Sequence, residues 1–400
     1  MSAEAMIVEA VRTPMGRYGG SLSGVRPDDL AALVISAVTE RAGLDAADLD
    51  DVYLGCGNQA GEDNRNVARM ALLLAGLPEE VPGSTVNRLC GSGMEAVVVA
   101  ARAIAAGAGD AFLAGGVESM SRAPLALAKP TRGFPRGRAQ LEDTALGWRF
   151  VNPRMEELGH TDSLGRTAEN VARERGITRE EQDRFALRSH RNAIAAAARH
   201  DARAWVVPVV TDDREVTADE GPRADASLER LAKLRPVFAE DGSVTAGNSS
   251  PLSDGASALA LVSESYARAN GLKPRARILG SATAGVAPRV MGLGPVPATT
   301  KLTRRLGVSI DDFDAIELNE AFASQAVAVC KEWGIDPEDD RLNSEGGAIA
   351  LGHPIGCSGA RLVGQLLNTL EAIRGRLGLA TMCIGVGQGI SVAIERIKAG

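Results

Sequence analysis

Cys90 follows the strand-like run STVNRL and opens GSGMEAVVVAARAIAAG, a stretch of helical length. A thiol at a helix N-terminus meets unpaired backbone N–H groups, which favour thiolate over thiol and raise its reactivity. Gly91 and Gly93 would let a substrate approach the backbone, where free N–H groups stabilise an oxyanion. The plain alternative is a buried small hydrophobe, the usual fate of a lone cysteine.

A base for such a nucleophile is sought among four histidines. His190 and His200 fall in charged sequence that reads as exposed helix, and His160 has no distinctive setting. His353 sits in NSEGGAIALGHPIGCSGAR, next to a proline and among glycines 346, 347, 352, 356 and 359. That irregular backbone around an imidazole suits a site, although a turn-rich interface loop would also explain it. Cys383 ends the strand TMCI before GVGQG and can present a thiol at the carboxyl edge of a sheet, or be core. Asn319 ends the strand AIEL, where an amide needs a dedicated partner. There is no H-E-x-x-H, no Walker A ending in GK[ST] and no G-x-G-x-x-G with its downstream acid, so zinc, nucleotide hydrolysis and nicotinamide binding have no support.

The elements that must hold these residues alternate between Ala-rich helical stretches and short strands: MIVEAV, DVYLGC, AFLAGGV, ALALV, AIEL and a C-terminal pair. Such alternation predicts an α/β protein. Gly43–Gly55 aligns without a gap on Gly307–Asn319, with Asp48 matching Asp312 and Asp50 matching Asp314. Downstream, the GSG at Gly91 matches the CSG at Cys357, and Gly116-Val117 matches Gly385-Val386. This steady correspondence implies two copies of one fold. Between them, Ser121 to about Ala246 reads as an insertion. Its start carries Arg122, Lys129, Arg132, Arg136 and Arg138 with no acid, an exposed loop suited to subunit contact or a polyphosphate ligand.

Composition narrows the function classes. A net charge of −7 and 3% aromatics offer no attraction for nucleic acid or anionic lipid and few stacking platforms. Five cysteines without a C-x-x-C pair indicate reduced thiols, and the N-terminus lacks a secretory pattern, so a cytoplasmic protein is expected and the sequon at Asn248 is irrelevant. Leu377–Ile394 is uncharged over 18 residues, but its glycines favour two buried strands over a membrane helix.

Taken as a set, VNRLCGSGMEAV, GGVESMS, TAGN, LNEAFA, GGAIALGHPIGCSGAR and CIGVGQG resemble the thiolase family from end to end. The resemblance implies duplicated βαβαβαββ halves in a five-layered α/β/α/β/α core: residues 1–120 plus 247–272, an inserted loop domain over 121–246, and residues 273–400. It implies that Cys90 is acylated by a 3-oxoacyl-CoA or acetyl-CoA, that His353 takes its proton, and that Cys383 is the second acid/base. Asn319 would hold a water at the enolate, and the backbone of Gly385 would join the oxyanion hole. Ser250, Ala246 and Leu164 would contact coenzyme A, a substrate; no metal or permanently bound cofactor is implied. A homotetramer is expected, binding neither nucleic acid nor membrane.

Two departures bear on the substrate. Pro251 and Ser253 replace the family's usual glycine and asparagine, and Ser163-Leu164-Gly165 replaces the His-Met-Gly of many biosynthetic thiolases. GWRFVNP, the TAENVA run and TMCIGVGQG are similar to 3-oxoadipyl-CoA thiolases of aromatic degradation. A distal carboxylate on that substrate calls for a cation, for which Arg149 and Arg154 are candidates. The alternatives are a biosynthetic acetoacetyl-CoA thiolase and a non-catalytic CoA-binding relative. A cysteine hydrolase leaves Cys383 and the duplication unexplained, and a 3-oxoacyl synthase usually has a second histidine in place of Asn319.

Overall fold

The computed structural model describes residues 3–134, 136–199 and 204–397. In chain order the first part runs β1 (Ala5–Arg12), α1 (Pro27–Ala42), β2 (Asp51–Gly55), α2 (Val67–Leu74), β3 (Gly83–Val86), α3 (Ser92–Ala105) and β4 (Ala111–Ser119). An irregular region follows that contains α4 (Leu164–Arg175) and α5 (Arg179–Ala197), and then β5 (Ser253–Ser263) completes the first sheet half. The second part comprises β6 (Ala276–Gly285), α6 (Pro295–Leu306), β7 (Ala315–Leu318), α7 (Ala323–Trp333), α8 (Ala348–Leu351), α9 (Ile355–Ala372), β8 (Leu377–Ile384) and β9 (Gln388–Arg396).

The long strands form one hydrogen-bonded path, β7-β8-β9-β6-β1-β5-β4-β2-β3. Its two halves have the same pattern. In the first, β2 runs parallel to β4, β4 antiparallel to β5, and β5 antiparallel to β1. In the second, β7 runs parallel to β8, β8 antiparallel to β9, and β9 antiparallel to β6. The join between halves is slight, Met6 with Arg277 and Ile7 with Ala276. The outer strand β3 has only a reduced counterpart, a single bridge from Ile316 to Leu342.

Helices and half-sheets alternate in five layers, because each sheet half is apolar on both faces. One outer core packs α1 and α2 on the first half, through Leu30, Val34, Val67 and Leu72. The middle core sandwiches α3 and α9 between halves, through Met94, Val97, Val363 and Leu366. The other outer core packs α6 and α7 on the second half, through Leu302, Val327 and Val329.

The repeated aspartates explain why both copies turn alike. Asp50 accepts from the N–H groups of Asp110 and Ala111 at 2.6 and 3.0 Å, pinning the entry to β4. Asp314 accepts from those of Arg376 and Leu377 at 2.7 and 2.9 Å, pinning the entry to β8. Gly43 and Gly307 end α1 and α6 with φ of 65° and 68°, the left-handed turn that favours glycine. Asp48 and Asp312 diverge: Asp48 accepts from the Tyr266 hydroxyl, whereas Asp312 caps Ser309.

Leu377–Ile394 folds as the β8–β9 pair, and no helix among the described residues is long and apolar enough to cross a membrane. His190 corrects the expectation of exposed helix: it is buried on α5, its Nδ1 accepting from the Arg223 N–H at 3.3 Å. The charged residues around it occupy the helix's other faces, a separation the sequence's overall charge concealed. His200 lies outside the described residues. The sequon asparagine, Asn248, is fully buried and donates to Asp183.

Candidate active site

Two glycine-lined helix starts build the site. A Cβ on Gly93 of α3 would stand 2.5 Å from the Gly356 carbonyl, and one on Gly359 of α9 would stand 2.2 Å from the Met94 nitrogen. These matched glycines therefore let α3 and α9 cross with their backbones almost touching, which draws the segment before α3, carrying Cys90, against the loop before α9, carrying His353. Gly116 completes the contact, for its Cβ would meet the Gly356 carbonyl at 1.9 Å. Close helix contact, rather than substrate access, is what the structure assigns to Gly93.

Cys90 is buried one residue before the N-cap of α3. The turn that presents it places Leu89 at φ 48°, a left-handed conformation uncommon outside glycine. Asn87 Oδ1 accepts from the Leu89 N–H, and the Ser92 hydroxyl donates to the Leu89 carbonyl, so the turn is held from both sides. Burial pushes the thiol pKa up, opposed by the nearby backbone N–H groups of Gly385 and Cys90. The lowered pKa expected at a helix start is thus not realised, because desolvation outweighs the N–H donors.

Gly385 reaches Cys90 from the turn between β8 and β9, where the next residue, Val386, has φ 62° despite its branched Cβ. Cys383, two residues earlier, is buried, and its thiol is raised by desolvation and by the proximity of Cys90. Cys90, Gly385 and Leu164 line one cavity of about 190 Å³.

His353 and Asn319 meet directly, Asn319 Nδ2 lying 3.4 Å from His353 Nε2. Neither lines that cavity; both are buried. The other ring nitrogen, Nδ1, is 2.6 Å from Ser358 Oγ, which also donates to the Pro354 carbonyl at 2.9 Å. Asn319 Nδ2 can only donate, so Nε2 carries the lone pair and Nδ1–H donates to Ser358, whose own hydrogen goes to the Pro354 carbonyl. Burial, with the positive Arg361 adding to it, drives the His353 pKa down to about 3, keeping that lone pair available. Ser253 accepts from the His353 N–H at 3.2 Å. Asn319 Oδ1 is buried with no partner among the described residues.

Ser250 sits apart from the cavity but is tied to the segment after β7, its N–H and hydroxyl both donating to the Ala321 carbonyl. Ala246 lines a second cavity of about 590 Å³, together with Arg17, Arg223 and Arg230. Sequence reasoning missed two supporting residues. Ser358 was visible only as part of the repeated SG pair, and its role depends on one turn of α9. Glu118 is buried, accepts from Gly57, Asn58 and Gly356 N–H groups, and is raised by burial to about 7. Ligand atoms of Cys56, Asp63 and Glu118 lie within 4.8 Å of one another, the one such group among the described residues. Those three backbone donors already engage Glu118.

Comparison with known proteins decides the family. The thiolase N-terminal domain model matches residues 5–265 and the thiolase C-terminal domain model residues 272–396. The chain belongs to the thiolase family. It is therefore an acyltransferase, as the names of its relatives indicate. It is 57% identical to the beta-ketoadipyl-CoA thiolase of Pseudomonas aeruginosa, over 99% of this chain and 100% of that protein. It is 54% identical to the 3-oxoadipyl-CoA/3-oxo-5,6-dehydrosuberyl-CoA thiolase of Escherichia coli, over 98% of this chain and 100% of that one. The Bacillus anthracis acetyl-CoA acetyltransferase structure superposes with a TM-score of 0.93 at 41% identity, covering 99% of each chain. The duplicated thiolase fold expected from the motifs is the fold observed.

Proposed function

We propose that this thiolase cleaves 3-oxoadipyl-CoA with coenzyme A to acetyl-CoA and succinyl-CoA, by a ping-pong route through Cys90. One observation carries the chemical roles: the buried Cys90 thiol lies near the backbone N–H groups of its own residue and of Gly385 and stands beside a second buried thiol, Cys383. His353 Nε2 takes the Cys90 proton as sulfur attacks the 3-keto carbon. The developing oxyanion faces the N–H groups of Cys90 and Gly385, donors typically worth about 3 kcal/mol each in such a role. The bond between C2 and C3 breaks, and the acetyl-CoA enolate takes the Cys383 proton while Asn319, through a water, and His353 stabilise its charge. Succinyl remains on Cys90 as a thioester. Free coenzyme A gives its proton to the Cys383 thiolate, attacks the thioester and leaves as succinyl-CoA, and His353 returns the proton to Cys90.

Coenzyme A would run along Ser250, Ala246 and Leu164. The cations Arg17, Arg223 and Arg230 around the second cavity suit its phosphates. Residues 1–120 with 247–272, 121–246, and 273–400 would act as catalytic half, loop domain and catalytic half. A cytoplasmic homotetramer that needs no permanently bound cofactor fits this reading.

The test is intact-mass measurement after mixing with 3-oxoadipyl-CoA or acetyl-CoA. An acyl adduct on wild type, its loss in Cys90→Ala, and an acetyl adduct retained in Cys383→Ala without thiolysis are expected. Wild type without an adduct would reject the mechanism.

A further inference from the structure

The cavity at Cys90 holds a cation that the mechanism does not use. Leu146, Trp148, Leu164, Met291 and Ile355 supply apolar walls, and the Arg149 side chain stands among them, half-buried. Three sheltered arginines face carboxylates, Arg12 with Asp219 at 2.6 Å, Arg88 with Glu95 at 3.0 Å and Arg275 with Glu9 at 2.6 Å, whereas Arg188 is held by the backbone carbonyls of Asp339 and Leu342. Arg149 donates only to neutral acceptors, Asn58 Oδ1 at 3.0 Å and the Thr144 carbonyl at 3.3 Å. Among the described residues no carboxylate forms an ion pair with it.

Its orientation is built in. Asn58 Nδ2 donates to Thr144 Oγ1 at 3.2 Å, and Thr144 Oγ1 donates to the Pro124 carbonyl at 2.6 Å. This chain fixes the Asn58 amide with its oxygen toward Arg149. The remaining donors of a planar guanidinium are suited to a carboxylate, which they bind in parallel pairs. Glu118 and Asp162 also line the cavity, but Glu118 is engaged by backbone N–H groups and Asp162 accepts from Asn170 at 2.9 Å. His160 lines it as well. Arg154, equally a candidate from sequence, is exposed on the short helix Pro153–Glu157 and does not line the cavity.

We infer that Arg149 is the specificity-determining receptor for the distal carboxylate of the acyl chain, held ready by Asn58 and Thr144. This rests on the 3-oxoadipyl-CoA reading above. A succinyl group on Cys90 would extend its free carboxylate into the cavity that Arg149 lines, whereas a neutral chain of equal length would leave the guanidinium without a counter-ion.

The test compares thiolysis of 3-oxoadipyl-CoA with that of 3-oxohexanoyl-CoA, which has the same chain length and no distal carboxylate. In wild type kcat/KM favours the dicarboxylic substrate. Arg149→Gln should lower the ratio of the two kcat/KM values by about 30-fold, mostly because the dicarboxylic substrate binds more weakly and its KM rises, and Arg149→Lys should restore part of it. Arg154→Gln should leave the ratio as in wild type. A wild-type preference that survives Arg149→Gln overturns the assignment of Arg149 alone. A wild type that cleaves the neutral substrate and not 3-oxoadipyl-CoA overturns the substrate reading and the receptor with it. If Arg149→Gln lacks a folded melting transition, Arg149→Lys decides, and an unchanged ratio there rejects the proposal.

Discussion

Cys90 and His353 have pKa values displaced in opposite directions, the thiol up and the imidazole down, because burial penalises the charged form of each. Burial thus favours a neutral thiol and a neutral imidazole in the free protein. Alkylation of Cys90 by iodoacetamide should rise about tenfold per pH unit from 7 to 9, following the thiolate fraction of a group titrating above that range. Peptide mass mapping against time at each pH checks this, and a plateau below pH 8 would indicate a thiolate–imidazolium pair instead. The motif around His353 suggests a base, yet which nitrogen holds the lone pair depends on Asn319 and Ser358. Cys90 was legible as a helix-start thiol, but its burial was not, since desolvation comes from side chains distant in sequence.

The Asp50 and Asp314 anchors show how a sequence repeat becomes a structural one. Each carboxylate accepts two backbone N–H groups at the start of the strand that leads toward the site. Replacing either by alanine removes both charge-assisted bonds and should cost about 2–4 kcal/mol. Urea denaturation of Asp50→Ala and Asp314→Ala should give similar losses, and strongly unequal ones would mean that the copies have diverged in their dependence on this turn. The repeat also made Gly93 and Gly359 visible as a pair. It could not reveal that they press against each other's helices, because a periodic match carries no information about how two copies face.

Across the whole chain, the inserted region exposes large apolar side chains outside the layered core, among them Leu125, Leu127, Phe134, Leu141 and Phe150. The basic run beside them suits subunit contact, yet Arg122 pairs with Glu62 of its own chain, at 2.5 Å. If this region joins subunits, sedimentation equilibrium should give a four-chain mass for wild type. Leu125→Asp with Leu127→Asp should shift it toward smaller species, and an unchanged mass would remove this surface from the assembly.

The sequence by itself determined the α/β class, the internal repeat and the thiolase motifs with Cys90, His353, Asn319 and Cys383. These are local or periodic properties, set by spacing and side-chain chemistry along the chain. Tertiary structure alone decided that the Cys90 thiol is raised rather than lowered, that His190 is buried, and that Asn319 and Ser358 set the tautomer of His353. It alone separated Arg149, in the cavity, from Arg154, on the surface. Burial, counter-ions and cavity walls arise from residues brought together across long chain separations, and no reading along one chain measures that proximity.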